Sequence, residues 1–558
     1  MLPRILTQAR LLLENLSLLK ELSTPGKIDD QHWKGLSCIL LISIFAVICA
    51  TFLDYGLTWD EDAQRTYGDF VLKWYSSFFQ DRSALNFLNL YLYGGFFEAV
   101  AQLATRIAPL GVYETRHLVN AVFGFLGLVG AYKLGAHLAG AVGGFFSALF
   151  LTLTPGFYGH LFNNPKDIPF AVLFLFSVYF LFKTYDILPY ISKGLIITLG
   201  ISIGLTSGVR VAGIVLVFYQ AILWITWITS QCLFSPLSAR ISIFRTERML
   251  LIFYLSTVIL AWIVMLIWWP WAQTSPLFNV VSALREIAHF KWDGMVFFNR
   301  QFFAATELPW SYLPTWLAIS LPEFYFIILL GGFCNAIIFL VNFEKTEENI
   351  KALVKIGFII FMICFPIISA ILLHSTVYDG MRQFLFVVPL LSVLLGVSFV
   401  KLLCSNCNPL IKKFMISLII LSGILTIVDM LRLHPYQSIY FNRIVAGGMK
   451  AGSVRFETDY WGSAHKEGAE WLIKHNYSNS SENIRVANCA VPVLSGYVFE
   501  KLKGTKRRFT TVTRDENPHI VLATTRWKCH ELISGKILHI VERMDVPLLY
   551  VIEVIPNH

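Results

Sequence analysis

Apolar runs of about 18 to 25 residues recur along most of this chain, and that is the length a helix needs to cross the hydrocarbon core of a bilayer. The runs fall at 35–53, 118–138, 139–158, 168–188, 194–209, 211–229, 249–269, 312–340, 354–373, 384–403 and 414–431. The run at 194–209 is short, and Pro322 inside 312–340 marks a kinked or split helix. With 56% hydrophobic residues and only 15% charged ones over 558 residues, an ordinary soluble protein is excluded. The expected fold class is a polytopic α-helical membrane protein with about eleven transmembrane helices.

The formal charge of +9 is modest for this size, and its basic residues are scattered. That speaks for membrane orientation and against nucleic-acid binding. No cleavable signal peptide is expected. Met1 to Ser23 carries Ile5, Leu11, Leu12, Leu16, Leu19 and Leu22 with Arg4, Arg10 and Lys20 among them. It reads either as an amphipathic helix on the cytoplasmic leaflet or as a frayed tail. The nine cysteines form no paired framework, and Cys404 and Cys407 are a lone CxxC. Cys489 and Cys529 are the two in the C-terminal segment, where an extracytoplasmic location would allow a disulfide.

Orientation follows from lysine and arginine in the short connections. Arg240, Arg245 and Arg248 cluster in one, Lys345, Lys351 and Lys355 in another, and Lys401, Lys412 and Lys413 in a third. With the N-terminus cytoplasmic, all three are cytoplasmic. This assignment treats 87–110, which holds Glu98, Gln102 and Arg106, as an interfacial segment and not a span. Three domains result: a cytoplasmic N-terminal segment 1–34, a transmembrane domain 35–432 with long external loops at 54–117 and 270–311, and an extracytoplasmic α/β domain 433–558. In the last, Ala464 to Lys474 has a helical pattern, while 484–490, 520–524, 538–541 and 548–554 read as strands. No Gly-rich phosphate loop occurs in it.

Two acidic tracts open onto the external side of this topology. Thr58-Trp59-Asp60-Glu61-Asp62 follows the first span, and ionisable groups at membrane depth are functional suspects by default. Thr58 and Glu61 match a capping box, ahead of a helical face formed by Tyr67, Phe70, Val71, Trp74 and Phe78. Asp60 is not explained that way, since a further acid in the first turn gains only about 0.3 to 1 kcal/mol from the helix dipole. The second tract, Asn163-Asn164-Pro165-Lys166-Asp167-Ile168-Pro169, puts two amides, a cation and an anion at one helix start. Asp167 is a good N-cap there, while Lys166 and the helix terminus suit a phosphate. In Tyr378-Asp379-Gly380-Met381-Arg382, Arg382 offers the planar fork that matches phosphoryl oxygens. The loop after Trp269 carries His289, Lys291, Asp293, Arg300 and Glu307 and suits a lid or acceptor surface. Arg210, between two spans, either faces the same cavity or snorkels. His434-Pro435-Tyr436 and Tyr440-Phe441-Asn442 follow the last span, either closing a site from above or forming an interfacial aromatic belt.

Taken in order, Trp59-Asp60-Glu61, the Asn163 to Pro169 tract, Leu308-Pro309-Trp310-Ser311-Tyr312-Leu313-Pro314, Tyr378-Asp379-Gly380-x-Arg382 and His434 to Asn442 resemble the GT-C superfamily of integral-membrane glycosyltransferases. Within it the chain is most similar to the protein O-mannosyltransferase and aminoarabinose-transferase group (family 39 and relatives). The resemblance covers about residues 35 to 442. It implies inverting transfer of a sugar from a polyprenyl-phosphate donor to a lipid, glycan or protein acceptor on the outer face of a bacterial inner membrane. It casts Asp60 as base or acceptor-orienting group, Glu61 as its partner and Asp167 as the second acid. Lys166, Arg300 and Arg382 would bind the donor phosphate, because the first-loop lysine of the aminoarabinose group has no counterpart at 90–95. Asn163, Asn164, Tyr378, Asp379 and His434 would line the substrate. No cofactor is required outright; Asp60 and Asp167 holding a divalent Mg or Mn ion is an open alternative. The rival classes are a secondary transporter and a membrane assembly factor with an external binding domain.

Overall fold

The computed structural model describes residues 30–555 except 235–236, 289, 291, 406, 476–482 and 502–508, and no side chains within 232–246. The N-terminal amphipathic segment, His289, Lys291 and the side chains of Arg240 and Arg245 lie outside the described residues. Among those described, nine helices are long and apolar enough to cross a bilayer: Asp30–Thr51, Val112–Thr152, Asp167–Asp186, Val211–Gln231, Glu247–Ile267, Glu323–Val341, Glu347–Leu372, Val387–Cys404 and Pro409–Leu433.

The second of these is a helical hairpin. Ala139 and Gly140 leave helical geometry, Gly140 with φ +68°, and the chain reverses there. The arms then touch so closely that a side chain on Gly135 would run into the backbone of Gly143. The two expected runs 118–138 and 139–158 are these two arms. The expected run 194–209 is the 15-residue helix Lys193–Ser207, shorter than the roughly 20 residues a span needs. The expected run 312–340 is divided at Leu321-Pro322 into Tyr312–Ser320 and Glu323–Val341, because proline removes a helix donor and clashes with the preceding turn. The ambiguous 87–110 segment holds a 12-residue helix, Phe96–Ile107, whose Glu98 is buried in an ion pair with Arg116.

The bundle has two chemically different ends. At one, Asp30 Oδ1 accepts from the Ala141 amide (2.9 Å), and Asp186 meets His137 (2.8 Å) and Lys355 (2.5 Å). At the other end lie Asp60, the start of the 112–152 hairpin and Asp167. There Asn163 Nδ2 donates to the Gly56 carbonyl (3.0 Å) and Thr58 Oγ1 donates to the Asn163 carbonyl (3.0 Å). These two bonds fasten the first loop to the loop before Asp167, so the two acidic tracts share one end of the bundle.

The C-terminal region packs over that end. Its five-stranded sheet has the order Phe509–Val512, Ile484–Asn488, Ile520–Thr524, Val546–Val554, Gly535–Arg543. The first three strands are parallel and the last two pairings antiparallel. Helices His465–Lys474 and Val493–Glu500 join it, and Leu472, Leu494, Val486, Leu522 and Leu549 form part of one buried core. The short strand Phe509–Val512 escapes a sequence reading because it is four residues long and half polar. Cys489 and Cys529 are joined by a disulfide that ties the end of a central strand to the turn carrying Arg526.

A hairpin from the 270–311 loop, Met295–Phe298 with Gln301–Ala304, docks onto this region through a bridge between Phe298 and Phe456. Glu457 seals the joint. It is 7% exposed, and one carboxyl oxygen accepts from the Phe297 amide (3.1 Å). Burial pushes its pKa up to about 7, against the pull of Arg526. An acid whose folded pKa exceeds its unfolded one stabilises the fold below the unfolded value and loses that contribution as pH rises through the folded value. Stability should therefore fall by about 3 kcal/mol in total as pH rises from 4.5 to 7. Thermal unfolding of detergent-solubilised protein across that window should show this slope, and Glu457→Gln should flatten it. An unchanged slope in the variant would assign the effect to other groups.

Candidate functional site

A cavity of about 530 Å³ opens where the bundle end, the 270–311 loop and the C-terminal region meet. Four cations, Lys166, Arg210, Arg382 and Arg526, and two carboxylates, Asp60 and Asp379, are in its lining. Leu88, Leu90, Pro366, Leu373, Phe384 and Phe386 give the same cavity an apolar wall.

Arg382 is the hub. The chain reaches it through Asp379 and Gly380, both at positive φ (57° and 69°), a turn that glycine accommodates without strain. The Tyr312 hydroxyl accepts from the Gly380 amide at 3.0 Å and fixes this turn to the helix Tyr312–Ser320. The Arg382 guanidinium then meets Asp379 (3.0 Å), Asp167 (3.6 Å) and Asp60 (4.0 Å). It also lies over the rings of Trp461 (4.7 Å) and Tyr378 (5.0 Å), an arrangement suited to a planar cation. Burial works against its charge, but Asp379, Tyr378, Asp167 and Asp60 outweigh that and hold its pKa well above the ordinary value. Burial raises the Tyr378 phenol to about 12, so it stays a neutral donor against the stacked ring of Trp292.

The two acids differ in their freedom. Asp167, its side chain 3% exposed, is bound by Arg210 and faces Arg382. Its carboxylate accepts from Asn164 Nδ2 (3.0 Å), and Asn164 Oδ1 accepts from its amide (2.9 Å). Asp167 is thus the first residue of its helix and Lys166 the cap position, a correction to the expected N-cap. Asp60 is 41% exposed at its side chain, lines the cavity, and meets Arg382 only at 4.0 Å.

Other expected residues distribute as follows. Lys166 lines the cavity with its ammonium 4.0 Å from the centre of the Tyr93 ring. Glu61 is buried and outside the lining: it accepts from the Thr58 amide (2.7 Å), shares the single Thr58 hydroxyl proton (2.9 Å) with the Asn163 carbonyl, and its other oxygen meets His117 (2.9 Å). The returning half of the capping box is therefore formed, but the Thr58 hydroxyl caps no amide and Asp60 stands at the cap position, a correction to the expected threonine cap. Asn163 and Asn164 are consumed in fastening loops. Arg300 is exposed at the tip of the 295–304 hairpin and is not brought to the cavity. His434 pairs with Asp54 (2.8 Å), also outside the lining.

Asp60 and Asp167 do not fit a bridging divalent ion. Each faces the same Arg382 nitrogen, so a guanidinium stands where the ion's charge would be needed, and Asp167 is further committed to Arg210. Among the described residues no cluster of three or more metal-ligating His, Cys, Asp or Glu occurs.

Sequence reasoning missed Arg526, which grips Asp379 (2.6 Å) and the Tyr460 carbonyl, and Trp461, whose carbonyl accepts from the Trp59 amide (3.1 Å). Their only signal is aromatic company, Tyr460-Trp461 and Arg526-Trp527, in a domain that otherwise reads as generic.

No protein-family model and no curated protein sequence matches the chain. Among solved structures it is similar to ArnT from Cupriavidus metallidurans bound to undecaprenyl phosphate, with 13% identity, 92% of this chain and 97% of that one covered, and a TM-score of 0.47. It is also similar to the Archaeoglobus fulgidus oligosaccharyltransferase in the apo form, with 13% identity, 86% and 65% covered, and a TM-score of 0.45. Likeness at this level says nothing of what the chain does.

Removing the hub tests the site's electrostatics without substrate. Arg382→Met leaves Asp60, Asp167 and Asp379 short of a cation, and breaking a buried ion pair in this way costs about 3 to 5 kcal/mol. Arg382→Lys should restore part of that, lacking the two-nitrogen grip on Asp379. Thermal unfolding in detergent distinguishes them, and an Arg382→Met protein as stable as the parent would refute the hub.

Proposed function

We propose that the chain is a membrane glycosyltransferase that moves a sugar from a polyprenyl-phosphate-linked donor to an acceptor hydroxyl, with inversion at the anomeric carbon. One observation carries this reading: a single cavity combines Lys166, Arg210 and Arg382 with an apolar wall, which is what a phosphate attached to a hydrocarbon chain requires. The ordered motifs and their resemblance to GT-C enzymes support the same reading. The basic connections at the opposite end of the bundle support an extracytoplasmic site in a bacterial inner membrane.

In this mechanism Arg382, Lys166 and Arg210 hold the donor phosphate and stabilise the charge that grows on it as it leaves. The acceptor oxygen attacks the anomeric carbon from the face opposite the phosphate. A carbon–oxygen bond forms there as the bond to phosphate breaks, releasing polyprenyl phosphate. Asp60 takes the acceptor proton, as inversion requires a base opposite the leaving group. It suits that role because it lines the cavity and is the least encumbered of the acids around Arg382. Asp167 is a positioning residue that fixes Arg210 and Arg382. Glu61 braces the first loop through Thr58 and His117.

Purified protein, a set of undecaprenyl-phosphate-linked hexoses and aminoarabinose, and a bacterial membrane extract as acceptor provide the test. Asp60→Asn should lower turnover by about 10²- to 10⁴-fold while leaving thermal stability and undecaprenyl phosphate binding intact. Full turnover in that variant removes Asp60 from the chemistry. Absence of transfer from every donor in the parent protein would favour a transporter or an assembly factor instead.

A further inference from the structure

A second cavity, of about 330 Å³, lies between the 295–304 hairpin and the C-terminal sheet. Arg526 and Trp527 line both this cavity and the donor cavity. They are held firmly: Arg526 by Asp379 and the Tyr460 carbonyl, and Trp527 by its indole N–H donating to the Met295 carbonyl (2.7 Å) and by edge contact with Trp59. The two cavities therefore share one wall.

The lining of the second cavity has a definite chemical character. Phe297, Phe302 and Tyr550 supply apolar ring surface, and Glu457, Thr458 and Thr525 supply polar groups. Glu457 is buried, and its second carboxyl oxygen has no hydrogen-bond partner among the described residues. A buried carboxyl oxygen left bare is costly, and on a protonated carboxyl it can donate as well as accept, which a hydroxyl group would match. Arg526 is committed to Asp379, Lys528 has Glu531 beside it at the surface (3.6 Å), and the lining carboxylate Asp459 accepts from the Ser463 and Ala464 amides (3.1 and 2.8 Å), so the lining does not single out an anionic ligand. Burial keeps Glu457 largely protonated up to about neutral pH, so it does not call for a cation either. A neutral ligand with hydroxyl groups at its edges and C–H faces for the rings meets all of these conditions, and a sugar ring is such a ligand. The volume, at the low end for small-molecule sites, suits one or two sugar units.

We propose that this cavity is a saccharide-binding subsite that seats a glycan-bearing acceptor across the Arg526–Trp527 wall from the donor. The acceptor role rests on the glycosyltransferase reading, whereas saccharide binding stands on the cavity alone. Ligand-observed saturation-transfer NMR on the full-length protein in detergent tests it, with methyl glucoside, methyl mannoside, N-acetylglucosamine, maltose and chitobiose as probes. At least one probe should bind the parent protein, and binding should weaken 10-fold or more in Phe302→Ala and in Glu457→Leu, with undecaprenyl phosphate binding unchanged. Phe302 is partly exposed, so its variant decides the matter if Glu457→Leu fails to fold. The proposal is overturned if no probe binds the parent, or if binding survives Phe302→Ala. Saccharide binding without any sugar transfer would count against the enzyme reading alone, and transfer without saccharide binding against this subsite alone.

Discussion

The buried guanidinium of Arg382 is the interaction on which the rest of this site depends. Three carboxylates from three distant parts of the chain, Asp60, Asp167 and Asp379, converge on it. The two buried ones, Asp167 and Asp379, would not be tolerable in a largely apolar surround without opposite charge close by. The second ring of cations follows the same logic. Arg210 satisfies Asp167 from the transmembrane side and Arg526 satisfies Asp379 from the C-terminal side, so one charge network stitches the bundle to the domain above it. Neutral polar groups then set the geometry, with Asn163 and Thr58 holding the two acidic loops together.

How much of this can be read from sequence depends on whether the signal is local. Spans are local: a run of apolar residues near twenty long has one common use, and the helices from Asp30–Thr51 to Pro409–Leu433 follow the runs closely. The division at Pro322 and the hairpin at Gly140 are marked by the residues themselves. That Asp60 and Asp167 share one end follows from counting spans, which requires the segment 87–110 not to cross; its helix of 12 residues is too short to do so. The grip of Arg526 on Asp379 is a different matter, because the partners stand 147 positions apart and neither sits in a motif that names the other. Arg300 and His434 illustrate the converse error. Both have the right chemistry on the right side, but a hairpin tip and a pair with Asp54 keep them out of the cavity lining.

Glu61 shows why adjacent identical chemistry need not share a role. Its backbone position in the first turn turns its side chain back onto Thr58, and His117 takes the remaining oxygen. One residue earlier, the Asp60 side chain makes no capping bond and stays on the cavity side. The capping motif thus separates a structural acid from a free one within two positions.

The same competition for Arg382 suggests how the proposed chemistry is ordered. Its nitrogen facing Asp60 and Asp167 is at 4.0 and 3.6 Å from them, longer than a charge-assisted hydrogen bond, whereas its contacts to Asp379 are at 3.0 and 3.1 Å. An arriving phosphate would therefore take up the loosely engaged nitrogen without disturbing the Asp379 grip. Asp167 retains Arg210 when that happens, but Asp60 has no such second cation among its described ion pairs. On the proposed reading, donor binding releases Asp60 from its weak partner at the moment a base is needed, and leaves the other two acids in place to hold the cations. On that reading, the uneven spacing around one guanidinium divides three carboxylates into two that build the site and one left to act in it.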